Sequence, residues 1–166
     1  MNAIAKSAAT GSLALMVLIL QGCPSAYQRT YEQQTQQLEM QQRAADAEAQ
    51  AAHAQASKYA AVIYFAVGSA IIDQDGQRQL GWFVQQMQPY PQAMIQVQGF
   101  ADSTGSEATN AGLSLERATA ATSYLNAQGI ASPRIVTQGF GAQYAAASNE
   151  TGQGRRNNRR VEVTVR

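Results

Sequence analysis

Gly99-Phe100-Ala101-Asp102-Ser103-Thr104-Gly105-Ser106-Glu107-Ala108-Thr109-Asn110-Ala111-Gly112-Leu113-Ser114-Leu115-Glu116-Arg117-Ala118 is the stretch on which the fold turns. Before it, Ile95 and Val97 alternate with Gln96 and Gln98, which predicts a half-buried strand over Met94 to Gly99. After it, Leu113, Ala121 and Leu125 mark the inner face of a helix from about Ser106 to Asn126, with Gly129 as its stop. A strand therefore passes into a helix through a loop carrying Asp102, and Arg117 lies further along that helix. Both charges can face one cleft at the strand ends.

The same pattern continues in both directions. Ala61-Val62-Ile63-Tyr64-Phe65 reads as a strand, and Leu80, Phe83, Val84 and Met87 recur at helical spacing between Asp73 and Gln88. Trp82 lies beside that face and reads as partial core. Ile135 to Gly139 is a third strand, and Val161, Val163 and Val165 alternate with Glu162 and Thr164 in a fourth. The order β-α-β-α-β-β predicts an α/β sandwich over residues 60–166, its helices packed on one face of a mixed four-stranded sheet.

Residues 24–59 contain no Gly, and half of them are Ala or Gln, which favours one long helix. A mildly apolar seam runs through Tyr31, Thr35, Leu38, Gln42, Ala45, Ala49, Ala52, Ala56 and Tyr59 in alternating steps of four and three. Small and polar residues dominate it, so residues 23–59 read as a solvated stalk, with self-association or docking on the domain as the alternatives. His53 falls among alanines and reads as an exposed residue without a chemical role. Twelve Lys and Arg stand against eleven Asp and Glu in the 166-residue chain, so no global field steers it toward nucleic acid. One Cys and one His cannot assemble a Cys/His zinc site within a monomer, and neither a metal nor another cofactor is expected.

Ahead of the stalk, Lys6 precedes an apolar run from Ala8 to Leu20, and then comes Leu20-Gln21-Gly22-Cys23. The run is shorter than the roughly twenty residues that span a bilayer, and its order is that of a secretory signal over residues 1–22. The ending resembles the lipobox of bacterial lipoproteins. That resemblance implies cleavage before Cys23, acylation of its thiol, and attachment to a membrane without crossing it. Pro24, in place of the Asp that marks inner-membrane retention, implies the outer membrane with the domain facing the periplasm.

Asp102-x-x-Gly105 followed by Asn110-x-x-Leu113-Ser114-x-x-Arg117-Ala118 resembles the signature of OmpA-like domains, the peptidoglycan-binding modules that include the Pal family. Tyr64-Phe65 with Ser69 and Ile72, Gly139-Phe140-Gly141, Ser148-Asn149, Gly154-Arg155 and Asn158-Arg159-Arg160-Val161 extend the likeness over about residues 61–165. The resemblance implies binding of the meso-diaminopimelate residue of the peptidoglycan stem, with Asp102 and Arg117 as the charged ligands. The chemistry is intelligible: the free end of diaminopimelate offers an ammonium beside a carboxylate, matched by an anion and a forked cation. Asn110, Leu113, Ala101 and Gly105 fall at positions lining the implied pocket, and Arg160 at its edge. Phe100 and Ala101 depart from the usual His or Tyr and Thr, Ala66 and Gly68 from polar residues, and Thr109 from Tyr.

Three other readings stay open at this stage. Asp102 and Arg117 could pair with each other and merely close a loop. Asp102 and Glu116 could act as acid and base of a wall hydrolase, although no nucleophile and base, or metal cluster, accompanies them. The chain could instead be an accessory lipoprotein of an envelope machine, a Tol-Pal or secretion assembly, whose main partner is a protein. The arginine-rich segment from Arg155 to Arg160 is expected to contact carbohydrate or carboxylate, or to position the last strand.

Overall fold

The computed structural model describes residues 25–166. The segment 1–22 expected to be a secretory signal and Cys23, the expected lipidation site, lie outside the described residues. By internal contacts the chain divides into two units, one ending at Gln42 and the other spanning Arg43–Arg166.

Helix α1, Ala26–Ala56, has 31 residues, and every one except Ala56 is exposed. At about 1.5 Å per residue it is roughly 46 Å long. Among the described residues no helix is long and apolar enough to cross a membrane.

Strand β1 (Ala60–Tyr64), α2 (Gln74–Met87), β2 (Ile95–Gly99), α3 (Glu107–Ala127), a 3-10 turn (Ser132–Arg134), β3 (Ile135–Gly139), α4 (Gly152–Asn158) and β4 (Arg160–Val165) complete the chain. The sheet order is β1-β4-β2-β3: β2 and β3 run parallel, and β4 is antiparallel to both its neighbours. The mixed α/β sandwich expected from the sequence is the fold observed.

Period-two burial decides which face is covered. Ile63, Ile95, Val97, Val161 and Val163 turn inward against Leu80, Phe83 and Met87 of α2 and Ala118, Ala121 and Leu125 of α3. At roughly 25 cal/mol per Å² of apolar surface, burial of these side chains is the main force holding the layers together. Both helices start where their caps predict: Asp73 accepts from the Gly76 amide and Ser106 from the Thr109 amide. Trp82 is more open than a partial-core residue, 44 % exposed, with its ring edge-on to Tyr59 at 6.1 Å.

The expected order β-α-β-α-β-β lacks α4. Gly152, Gly154, Asn157 and Asn158 are poor helix formers, so local propensity hides this helix. Thr151 caps it through the Gly154 amide, and Gly154 packs so closely on the Ser148 carbonyl that a Cβ would collide. Buried Asn158 then clasps Ala147 from both sides, accepting from its amide and donating to its carbonyl.

Candidate functional site at the strand ends

The loop after β2 keeps Phe100, Ala101 and Asp102 buried before Ser103 to Ser106 come to the surface. Asp102 is 6 % exposed. One carboxylate oxygen accepts from the Thr104 amide at 2.9 Å, and the other from Nη1 of Arg159 at 2.8 Å. Burial alone would raise its pKa, but the Arg159 and Thr104 hydrogen bonds outweigh it and hold the carboxyl below its ordinary value.

Arg117 is fully buried. Its Nε donates to the Ser69 carbonyl at 2.8 Å, Nη1 to Phe100 at 3.1 Å and Nη2 to Ala66 at 3.1 Å, and the guanidinium lies 5.3 Å from the centre of the Phe65 ring. Burial, followed by the nearby charge of Arg159, lowers its pKa to about 10, while Asp102 opposes the shift. The ion-pair partner of Asp102 is Arg159 rather than Arg117. Arg159 also donates Nε to the Phe65 carbonyl at 3.0 Å, and its side chain is 11 % exposed.

Beside this cluster opens a cleft of about 470 Å³, with Ser103, Gly105, Asn110, Phe140 and Gly141 among the residues in its wall. Ser114 fixes its shape by accepting the Gly141 amide at 2.8 Å and donating to Ala111 at 2.9 Å. Gly99 and Gly139 let α3 lie directly on the strand ends: a Cβ at Gly99 would strike the Ser114 carbonyl, and one at Gly139 would sit 2.6 Å from the Leu115 nitrogen.

Of the residues singled out from the sequence, Gly105 and Asn110 line the cleft, Asp102 directly precedes Ser103 of its wall, and Arg117 is fully buried and does not line it. Ala101 is buried, and its amide donates to the Gly141 carbonyl at 2.7 Å. Leu113 is half-buried and does not line the cleft. Arg160 is buried with its guanidinium 4.0 Å from the Phe100 ring centre, bonded to Glu162 at 2.6 Å and to the Tyr144 carbonyl at 3.2 Å. The Phe100 ring in turn stacks on Phe140 at 5.5 Å. Arg159 enters the sequence reading only within the arginine-rich segment from Arg155 to Arg160, not as a residue of the pocket. Its place beside Arg160 on the approach to β4 gives no local signal that it reaches a residue 57 positions earlier. Among the described residues no group of three acidic, His or Cys side chains could hold a metal.

A mixed sheet with two helices on one face and a buried cluster of opposite charges at the strand ends defines a small α/β domain. The model of the OmpA family matches residues 64–159, and the chain belongs to that family. It is 38% identical over 103 residues to a probable lipoprotein, YiaD, of Escherichia coli strain K12, covering 62% of this chain and 47% of that one. It is 45% identical over 75 residues to the peptidoglycan-binding protein ArfA of Mycobacterium tuberculosis strain H37Rv, covering 45% and 23%. The chain thus spans about half the length of the first relative and about a quarter of the second. The crystal structure of the peptidoglycan-associated lipoprotein from Burkholderia pseudomallei superposes with a TM-score of 0.61 at 24% identity, over 64% of this chain and 90% of that one. That likeness establishes the fold. None of these matches indicates a catalytic family.

Proposed function

We propose that the protein is an outer-membrane lipoprotein that tethers the membrane to the cell wall by noncovalent binding of the diaminopimelate-containing peptidoglycan stem. Acyl chains on Cys23 would hold it to the membrane, α1 would act as a spacer, and residues 60–166 would grip the wall from the periplasmic side. The relative named as peptidoglycan-binding and the family match support the wall ligand, and the relative named as a lipoprotein supports the anchor.

The observation that carries the reading is the buried Asp102 carboxylate, kept ionised by two donors next to an open cleft and close to two guanidinium groups. A carboxylate has lone pairs beyond the two already engaged, so Asp102 can accept a ligand ammonium. The Arg117 side of the site supplies the positive field for the neighbouring ligand carboxylate. Nothing in this arrangement makes or breaks a covalent bond. The test is retention on purified sacculi. The unaltered protein is expected to co-sediment without releasing muropeptides, and Asp102→Ala to stay in the supernatant; equal retention of both overturns the assignment.

A further inference from the structure

The hydrogen-bond phase of the sheet leaves one strand with main-chain groups to spare. In an antiparallel pair, residues alternate between exchanging N–H and C=O with the partner strand and pointing both away from it. The Phe65 amide donates to the Arg159 carbonyl, and in the same register Ile63 faces Val161 and Ala61 faces Val163. These are therefore the residues of β1 that bond toward β4. The Phe100 amide donates to the Arg160 carbonyl, so Arg160, Glu162 and Thr164 turn their peptide groups the other way, to β2. Opposite them, Ala60, Val62 and Tyr64 direct their N–H and C=O groups out of the sheet, because β1 is an edge strand with no strand beyond it.

This edge is undefended. Ala60-Ala61-Val62-Ile63-Tyr64 holds no charge, Pro or bulge, the devices that keep an exposed edge from pairing. A cleft of about 410 Å³ runs along it, lined by Val62 and Tyr64, by Asp73 and Asp75 at the start of α2, and by Arg156 of α4. Asp73 caps α2 and Asp75 pairs with Arg78, whereas Arg156 is exposed with no partner among the described residues. The α2 side of the cleft is thus acidic and the α4 side basic. Residues of both helices flank the strand, so a second copy, whose own β1 lies in the same cleft, would bring helix against helix before edge met edge. A single extended chain can enter.

We propose that the free edge of β1 is a docking site for an extended segment of a partner protein. The segment pairs with the outward groups of Val62 and Tyr64 as a fifth strand, and it carries a basic side chain for Asp73 and Asp75 and an acidic one for Arg156. Main-chain bonds supply the affinity and the charged walls the selection. The outward residues recur about every 7 Å, so roughly five residues of the partner cover the edge. None of the residues lining this cleft lines the one beside Asp102, and the proposal does not depend on the wall-binding reading.

Dodecapeptides selected from a random displayed library on the full-length protein in detergent test it, with Val62→Pro as the comparison. Proline there removes an outward N–H that β4 does not use, and edge strands tolerate it on that side. The selected peptides are expected to slow hydrogen exchange at the Val62 and Tyr64 amides. They should bind Val62→Pro about tenfold more weakly, the loss that follows one buried carbonyl left unpaired. Arg156→Glu, which reverses the basic wall, should weaken them by roughly threefold or more. Undiminished binding to a folded Val62→Pro or to Arg156→Glu overturns the proposal, and so does a selection that enriches no peptide. If Val62→Pro does not fold, N-methylation of the synthesised peptide, one residue at a time, decides: a paired strand loses binding at every second position only. Binding without that period overturns the proposal. Concentration-dependent dimerisation that is lost in Val62→Pro would make the occupant a second copy and would overturn it equally.

Discussion

Arg117 and Arg159 donate to adjacent carbonyls, Arg117 to that of Ala66 at 3.1 Å and Arg159 to that of Phe65 at 3.0 Å. The chain leaving β1 is thus pinned at consecutive peptide units by cations from α3 and from the approach to β4. The loop after β2 and the end of β1 are parts of one hydrogen-bonded assembly.

Removing Arg117 should therefore cost stability as well as binding. Its loss strands the buried carbonyl of Phe100 and the part-buried bonding sites at Ala66 and Ser69, where a fully buried group left unpaired costs about 1–3 kcal/mol. Partial solvation lowers that sum, so Arg117→Ala is expected to lose on the order of 3–5 kcal/mol in urea unfolding. Arg117→Lys should recover only part, because one ammonium cannot reach all three oxygens. A loss within experimental error would contradict the bracing role.

Asp102 predicts a specific acid response. Its folded-state pKa lies below the ordinary carboxylate value, so its contribution to stability is complete above about pH 4 and is lost as pH falls through the depressed value. Melting temperatures measured from pH 7 down to pH 2 should drop less steeply for Asp102→Asn than for the unaltered protein. Asp102→Asn should also melt lower at pH 7, where it leaves Arg159 without its counter-charge. Parallel curves would remove Asp102 as the source of the acid response.

Gly99→Ala should destabilise the domain by about 3 kcal/mol or more, because the added methyl meets backbone, which cannot rotate away. Gly112→Ala, whose Cβ meets nothing within 4 Å, is the control and should be neutral or slightly stabilising. If the two variants melt alike, the close approach of α3 to the strand ends is wrong.

Cys23→Ala should abolish metabolic labelling with a fatty acid and release the protein from the outer-membrane fraction. Persistent labelling would remove the proposed anchor. The domain should fold in either case, since its core begins at Ala56.

Much of this fold can be read locally. Alternation in β2 and β4, the helical recurrence of Leu80, Phe83, Val84 and Met87, and the caps Asp73 and Ser106 are all short-range signals, and those elements fall within a residue or two of their predicted bounds. Helix α4 escapes because its glycines and asparagines act through contacts with Ser148 and Ala147, which no propensity encodes. At the site, the sequence marks Asp102 and Arg117 as residue types but not their partners. Two of the three carbonyls that hold Arg117 come from a loop about fifty residues earlier, and the partner of Asp102 comes from the approach to the last strand. Charge pairing across such separations becomes visible only once the sheet order is known.

That sheet order also constrains how the domain comes into being. Strand β4 lies between β1 and β2, which do not pair with each other. A chain delivered from its N-terminus therefore offers β1 no hydrogen-bonding neighbour until residues 160–165 arrive, and the Asp102–Arg159 contact waits for the same segment. Sheet and site are thus completed together, when the last strand drops into the middle.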